Sequence, residues 1–269
     1  MIFDCDATLS AIEGIDELAK NHPSEALVSE LTEAAMSGSV ALEDVYGRRL
    51  KAIEPTDVEI RQVSAHYKRN VVSHARDVVS ALRHHGHDVY IVSGGLADPV
   101  REFATFLGID QNNVRAVEVA HDRLDGSWWL SKGDAPQRFD DVVNDRLATA
   151  NGKVEVIEQL LDATTGGSAL IGDGATDLAA SGVVDSFIGF GGVSNRPQIA
   201  EQAEIYINCA CLSPVFPLVG GSAVLAELKS DERSLLDKGL KQIEDGEVAF
   251  ASSLSKQQFN DAFYEESQP

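Results

Sequence analysis

Four short apolar segments, each followed at once by polar or glycine residues, constrain what this chain can fold into. They are residues 2–3, 89–92, 169–171 and 187–190, and helical stretches separate them. Short apolar strands that alternate with helices predict a parallel sheet with helices on both faces. In such sheets ligands bind beyond the carboxyl ends of the strands. The residues that follow each segment are therefore the candidates for a functional site.

Asp4 and Asp6 follow the first segment and lie two residues apart. In an extended strand, residues at that spacing point to the same side, so the two carboxylates would converge. Two like charges in one place repel each other unless a cation, a proton or a phosphate-binding group compensates them. The alternative is an ordinary aspartate-rich turn at the protein surface. Because only three residues precede Asp4, its strand is expected to be short.

Three further elements are expected near the same end of the sheet. Ser93 and Gly94 follow a strand and open a helix, an arrangement that suits a phosphate, although tight turns use the same residues. Lys153 begins a helix and would supply a positive charge, unless it is a solvated surface lysine. Asp173 and Asp177 follow a strand in a glycine-rich segment and would add carboxylate oxygens for a hard cation such as Mg²⁺. An aspartate-rich turn is again the alternative.

The composition excludes several classes of protein. The formal net charge is −21, which argues against a nucleic-acid partner, and solubility is the simplest explanation of that charge. No apolar run approaches the roughly 18 residues that a membrane span needs. No basic segment followed by an apolar stretch opens the chain, so no secretion signal is expected. The three cysteines predict reduced thiols in a cytoplasmic protein.

The chain of 269 residues divides into three predicted parts. Residues 1–12 and 74–212 would form an α/β core with a parallel sheet. Residues 13–73 carry helical periodicity without strand-like alternation and would form a small α-helical unit inserted after the first strand. Residues 213–269 are predicted to be a helical extension. Within the core, residues 114–120 and 128–130 are predicted to pair as a hairpin around the turn at residues 125–126.

Two groups of residue types that often bind metals receive a structural interpretation. Cys209 and Cys211 have no second pair of cysteines or histidines at matching spacing, so packing is the favoured role. The cluster of His84, His85 and His87 is interpreted as a helix C-terminus, where cations are favourably placed.

Taken together, these motifs resemble the haloacid dehalogenase superfamily and, within it, the phosphoserine phosphatases. The resemblance covers residues 1 to about 210. It rests on Phe3-Asp4-Cys5-Asp6-Ala7-Thr8, Glu13-Gly14-Ile15-Asp16-Glu17-Leu18-Ala19-Lys20, Ala35-Met36-Ser37-Gly38, Arg48-Arg49-Leu50, Ile91-Val92-Ser93-Gly94-Gly95, Ile171-Gly172-Asp173-Gly174-Ala175-Thr176-Asp177 and Phe187-Ile188-Gly189-Phe190-Gly191-Gly192. The implied fold is a Rossmann-like three-layer core with a small helical cap.

The resemblance implies covalent catalysis on a phosphomonoester. Asp4 would be the nucleophile that becomes a phosphoaspartate, and Asp6 the general acid and base. Thr8 would steady their loop. Mg²⁺ would be held by the Asp4 carboxylate, the Asp6 backbone carbonyl and Asp173, with Asp177 supporting the site from nearby.

The resemblance also implies the binding residues. Ser93, Gly94 and Lys153 would bind the phosphate. Glu13 would bind the ammonium of a small phosphorylated amino acid and Arg49 its carboxylate. Met36, Gly38 and Thr176 would complete that substrate site.

The expected reaction is Mg²⁺-dependent hydrolysis of O-phospho-L-serine, the last step of serine biosynthesis by the phosphorylated route. A phosphatase or phosphotransferase for another small phosphomonoester stays open as an alternative, as does a non-catalytic phosphate-binding module. A homodimer is possible.

Overall fold

The structure is a computed structural model that describes residues 1–122, 138–142 and 145–261. The strands are β1 (Ile2–Phe3), β2 (Tyr90–Leu96), β3 (Val114–Val117), β4 (Val119–Asp122), β5 (Arg138–Val142), β6 (Ala169–Gly172), β7 (Ser186–Phe190), β8 (Ile205–Ile207) and β9 (Val248–Phe250). The α-helices are α1 (Gly14–Ala19), α2 (Glu25–Met36), α3 (Leu42–Ile53), α4 (Asp57–Arg69), α5 (Ala75–His84), α6 (Ala97–Leu107), α7 (Gly152–Leu161), α8 (Ala175–Ala179), α9 (Pro197–Gln202), α10 (Val215–Gly220), α11 (Ser230–Glu244) and α12 (Ser253–Asn260). None of the helices in these ranges is long and apolar enough to cross a membrane.

The main sheet has seven strands in the order β3-β2-β1-β6-β7-β8-β9. All neighbouring pairs are parallel except β8 and β9, which are antiparallel at one edge. The two-residue strand β1 lies in the centre, where Phe3 pairs with Ile91 on one side and Ile171 on the other. This arrangement confirms the α/β fold with a mainly parallel sheet that the sequence predicts.

Successive residues of each strand point to opposite faces, and both faces are covered by helices. Phe3 and Ile171 lie in one apolar cluster, which includes Phe103 of α6 and Leu235 of α11. Their neighbours Ile2 and Leu170 lie in a second cluster, which includes Ile157 and Leu160 of α7. Runs of consecutive apolar residues in these strands thus reflect burial on both faces. The result is a core of three layers.

Helices α1 to α4 follow β1 directly and lie at the carboxyl ends of the central strands. The entry and exit segments of this helical unit are joined by a bridge between Ser10 and Val71. Helix α4 begins with a capping box formed by Thr56 and Glu59 and packs on the core, where the Tyr67 and Phe103 rings stack with centroids 5.4 Å apart. This packing fixes the inner face of the unit over the loop that follows β1.

Two predicted elements differ from the structure. The predicted strand over residues 114–120 is divided, because β3 joins the main sheet whereas β4 pairs antiparallel with β5. The proposed partner at residues 128–130 lies outside the described residues. The C-terminal extension is not only helical, because it also supplies β9 to the edge of the main sheet. A three-residue strand carries too little periodicity to be recognised in sequence.

Candidate active site

The Asp4 carboxylate lies at the carboxyl end of the central strand. The Asp4 backbone N–H donates a hydrogen bond to the carbonyl of Ile171 (2.9 Å), so the parallel ladder itself fixes the residue. Its side chain is buried, and its Oδ1 atom lies 2.9 Å from Nζ of Lys153. Lys153 is the second residue of helix α7 and also lies 2.7 Å from Asp177. Burial lowers the pKa of this ammonium, but Asp177 and Asp4 together outweigh that effect and raise the pKa, so Lys153 carries its charge inside the site.

The Asp6 carboxylate has a different set of partners. Its Oδ1 atom accepts hydrogen bonds from the Gly14 backbone (2.6 Å) and the Tyr67 hydroxyl (2.8 Å), and its Oδ2 atom accepts one from Ser93 (3.3 Å). Burial, followed by the charge of Asp4, raises the pKa of Asp6 to about 6, against the effect of the first two donors. A carboxyl group with a pKa near neutrality is suited to giving and taking a proton.

Three buried carboxylates form a cluster beside Asp4. Oxygen atoms of Asp4, Asp173 and Asp177 lie within 4.8 Å of one another. Asp173 accepts hydrogen bonds from Thr8 and Arg196 (both 3.3 Å). Burial and the charge of Asp4 raise the pKa of Asp173 to about 8. A hard divalent cation prefers oxygen ligands, and it would also relieve the repulsion between these negatively charged carboxylates. The three residues therefore fit Mg²⁺.

The composition of this cluster differs in part from the predicted metal set. The Asp6 side chain faces Tyr67 and Ser93 instead, which is compatible with the backbone role that the family resemblance implies for Asp6. Asp177, predicted as a support, is a member of the cluster and is oriented by Gly174, whose N–H donates to its Oδ2 atom (3.1 Å).

A cavity of about 50 Å³, partly open to solvent, lies between the helical unit and the strand ends. Its lining brings together nine of the predicted residues: Asp4, Asp6, Glu13, Met36, Arg49, Ser93, Gly94, Lys153 and Thr176. Thr8, Asp173 and Asp177 are buried behind that lining. Gly38 is not part of the lining. It has a positive φ of 73°, and a Cβ atom there would lie 3.2 Å from Ala175.

The end of the cavity formed by the helical unit carries one group of each charge. Oε1 of Glu13 and Nε of Arg49 are buried and have no hydrogen-bond partner among the described residues. Arg49 is held in place by Thr32, which accepts from its Nη1 atom (3.0 Å), and by the Tyr46 ring, whose centroid is 5.2 Å from the guanidinium carbon. Burial raises the pKa of Glu13 and lowers that of Arg49. Two such buried and unpaired polar atoms beside one cavity indicate a polar ligand.

The family model of the haloacid dehalogenase-like hydrolases matches residues 1–181. This chain belongs to that family. The phosphoserine phosphatase of Drosophila melanogaster is 33% identical over 208 residues, which cover 77% of this chain and 73% of that protein. The phosphoserine phosphatase of Mus musculus is 34% identical over 207 residues, 77% of this chain and 87% of the relative. The resemblance found in the motifs is thereby confirmed.

Solved structures show the same fold as this haloacid dehalogenase-like chain. A phospho-aspartyl intermediate analogue of phosphoserine phosphatase has a TM-score of 0.65 at 24% identity and covers 81% of this chain and 97% of that chain. A substrate-bound phosphoserine phosphatase complex has a TM-score of 0.66 at 24% identity, with 81% and 96% covered.

The motifs of this hydrolase did not reveal three residues that contact the site. Arg196 follows the carboxyl end of β7 and joins Asp173 to Glu33 of the helical unit, and its place after a strand end was the available signal. The Tyr46 hydroxyl donates to the Gly94 carbonyl (2.7 Å), and Tyr67 donates to Asp6. Both tyrosines lie on helix faces whose apolar pattern predicts only ordinary packing in the core.

The carboxylate cluster predicts a pH dependence of stability in the metal-free protein. Burial is the main cause that raises the pKa of Asp173 to about 8 and that of Asp177 to about 7, whereas the ordinary pKa of an aspartate, expected in the unfolded chain, is 3.8. At pH values between the pKa of the unfolded chain and the raised pKa of the folded protein, these two carboxyl groups are protonated in the folded protein but ionised in the unfolded chain. The free energy of unfolding in EDTA should therefore fall as the pH rises from about 4 to about 8.

Urea denaturation at several pH values, with EDTA or with excess Mg²⁺, measures this trend. Mg²⁺ should flatten the fall because the ion compensates the carboxylates without protons. The control is Asp173→Asn, which should make the fall in EDTA shallower. Identical slopes for the wild type with and without Mg²⁺ would contradict the assignment of this cluster.

Proposed function

We propose that this chain is a Mg²⁺-dependent phosphatase that hydrolyses O-phospho-L-serine to L-serine and phosphate through a phosphoaspartate intermediate. The observation that carries the proposal is the pair of unpartnered buried atoms, Glu13 Oε1 and Arg49 Nε, on side chains that line the same cavity as Asp4. A phosphorylated amino acid has an ammonium and a carboxylate beside its phosphate. The names of the curated relatives support the same substrate.

In the first step, an Asp4 oxygen attacks the phosphorus and the bond from phosphorus to the seryl oxygen breaks. Asp6 gives its proton to the leaving alkoxide, so serine departs as a neutral alcohol. In the second step, Asp6 takes a proton from water, whose oxygen attacks the phosphoaspartate and frees Asp4 and phosphate. The hydrogen bonds from Gly14 and Tyr67 hold the Asp6 carboxyl group in position through both steps.

The phosphate end is formed by Ser93, Gly94 and Lys153. The Lys153 ammonium and the Ser93 hydroxyl stabilise the charge on the phosphoryl oxygens as the bonds change. Thr8 orients Asp173 by its hydrogen bond. Asp4, Asp173 and the Asp6 carbonyl would hold Mg²⁺, with Asp177 beside them, and the bound ion would neutralise charge on the phosphoryl group.

The amino-acid end is formed by the helical unit. Glu13 binds the ammonium and Arg49 the carboxylate, while Met36 and Thr176 line the space between, and Gly38 lets the chain turn close to α8. In this arrangement residues 13–73 act as a cap over a core of residues 1–12 and 74–212. The cavity volume, about 50 Å³, favours a small substrate. The free cysteines support a cytoplasmic location.

Arg49→Ala tests the amino-acid end. Loss of hydrogen bonds to a charged group costs about 1.5–3 kcal/mol, so kcat/KM for phosphoserine should fall about 10- to 100-fold. The value for p-nitrophenyl phosphate, which has no α-carboxylate, should change by less than about threefold on the same scale. The matched control is Arg48→Ala, because Arg48 is the adjacent arginine and is exposed.

Equal losses on both substrates would rule out the amino-acid end while leaving a phosphatase for another small phosphomonoester. Phosphate release from a panel of monoesters, with and without Mg²⁺, tests the chemistry itself. If no member of the panel releases phosphate, the chain is a phosphate-binding module.

A further inference from the structure

A second cluster of potential metal ligands joins the core to the C-terminal helix. Nδ1 of His84 lies 2.8 Å from Oε1 of Glu232, and Nε2 of His85 lies 3.3 Å from Oε2. One ligand atom of each residue lies within 4.8 Å of those of the other two. We propose that His84, His85 and Glu232 bind a divalent transition-metal ion of the Zn²⁺ class, which fastens helix α11 to helix α5.

The three side chains are held in place before any ion binds. His84 is the last residue of α5, and the His85 backbone N–H still donates to the Ala81 carbonyl (3.0 Å), so both histidines are fixed by the helix end. The His85 ring lies 5.7 Å from the Phe216 ring, centroid to centroid. Glu232 accepts a hydrogen bond from the Lys229 backbone (3.0 Å), which orients its carboxylate as outer partners orient metal ligands.

The charges around the cluster favour a cation. Glu232 is only 6% exposed, and the nearest lysine ammonium, that of Lys229, lies 3.9 Å from Oε1 on a side chain that is 56% exposed. The Lys229 ammonium is therefore held loosely, and a cation of higher charge can displace it. The C-terminal end of α5 adds its own negative dipole potential. Glu232 lies in the first turn of α11, whose positive N-terminal dipole offsets the dipole of α5, so the attraction for a cation comes from the Glu232 carboxylate itself.

The ligand types select the metal. Two imidazole nitrogens and one carboxylate suit Zn²⁺, Co²⁺ or Ni²⁺, whereas Mg²⁺ and Ca²⁺ prefer oxygen ligands alone. Glu232 also lines a groove of about 530 Å³ between α5 and α11, whose lining does not include His84 or His85. The His84 side chain is 32% exposed, so an ion and a completing water molecule can reach the site from solvent.

The site is separate from the phosphatase centre. Helix α5 ends shortly before β2 begins, so His84 and His85 lie near the amino ends of the strands, whereas Asp4 lies at the carboxyl ends. An ion bound there would connect two elements that already pack together, α5 and α11. Its effect would therefore be on the stability of the C-terminal extension and not on phosphate chemistry.

Titration of the EDTA-treated full chain with Co²⁺ in a large excess of Mg²⁺ tests the proposal. The excess Mg²⁺ occupies the oxygen-ligand cluster, so the visible absorption of Co²⁺ reports the nitrogen site. The wild type should take up one equivalent. His84→Gln and Glu232→Gln should each weaken binding by at least about 100-fold, because even outer partners of a metal contribute 10–100-fold. Zn²⁺ should displace the Co²⁺ and raise the Tm of the wild type.

His87→Gln is the matched control, since His87 belongs to the same histidine run but not to the cluster, and it should bind like the wild type. His84→Gln changes an exposed side chain, and an unaltered circular dichroism spectrum confirms that the variant is folded. Uptake by the wild type that does not exceed that of His84→Gln would overturn the proposal. So would an equal loss in the His87→Gln variant.

Discussion

Asp4→Asn should lower phosphate release by about 10⁴-fold or more and leave no covalent phosphoenzyme, as expected when a nucleophile is removed. The amide cannot form the acyl phosphate, although it has nearly the same size and occupies the same buried place. Substrate binding should persist, because Arg49, Glu13 and Lys153 are untouched. Phosphate release under steady-state conditions and mass spectrometry of acid-quenched enzyme measure the two effects.

The stability of Asp4→Asn separates this result from simple unfolding. Neutralisation of Asp4 removes its ion pair with Lys153, but Lys153 keeps Asp177 as a partner and the repulsion from Asp173 is relieved, so the free energy of unfolding in EDTA should change little. Asp237→Asn, which changes an exposed carboxylate on α11, is the matched control and should keep full activity. A phosphorylated adduct in the Asp4→Asn protein would refute the assignment of the nucleophile.

Lys153→Met should damage both activity and stability. The ammonium lies 2.9 Å from Asp4 and 2.7 Å from Asp177 in a buried site, so its loss leaves carboxylates uncompensated. Removal of one partner of a buried ion pair costs about 3–5 kcal/mol. Removal of a donor that stabilises transition-state charge lowers kcat about 10²- to 10³-fold. Urea denaturation in EDTA and phosphate release with Mg²⁺ measure these losses.

A double variant distinguishes the two roles of Lys153. In Lys153→Met with Asp177→Asn, one uncompensated charge is removed, so much of the stability should return while activity stays low. Lys256→Met, on the exposed face of α12, is the control for loss of a lysine. If Lys153→Met alone unfolds at the wild-type urea concentration, the ion pairs do not compensate the cluster in solution.

The parts of the site that sequence predicts best are those that parallel strands present by necessity. Asp4, Ser93 and Asp173 each follow an apolar segment, and the carboxyl ends of neighbouring strands must share one edge of the sheet. The same reasoning predicts the position of Lys153, because this residue lies in the first turn of a helix that returns to that edge of the sheet. The spacing of apolar residues, together with the parallel direction of the strands, is enough to predict that these side chains lie close together.

The contacts that the sequence does not predict depend instead on how the helices pack and on the course of the loops. Tyr67 and Tyr46 lie on buried faces of α4 and α3, and periodicity cannot tell a core tyrosine from one whose hydroxyl reaches a functional carboxylate or carbonyl. Arg196 reaches Asp173 only because the loop after β7 turns back over the strand ends. The histidine run alone indicates a helix end, because nothing in its spacing shows that Glu232 packs against His84 and His85.

The position of the two-residue strand β1 affects the order in which parts of the enzyme fold. Asp4 is synthesised before β2 and β6, yet its strand is held by both of them, with Ile171 as the acceptor of its own N–H. Contacts across such long sequence separations form late in folding. A nascent chain must therefore extend well beyond β6 before its nucleophile is fixed. Recovery of phosphatase activity during refolding would accordingly report completion of the central sheet and not the earlier formation of the helices.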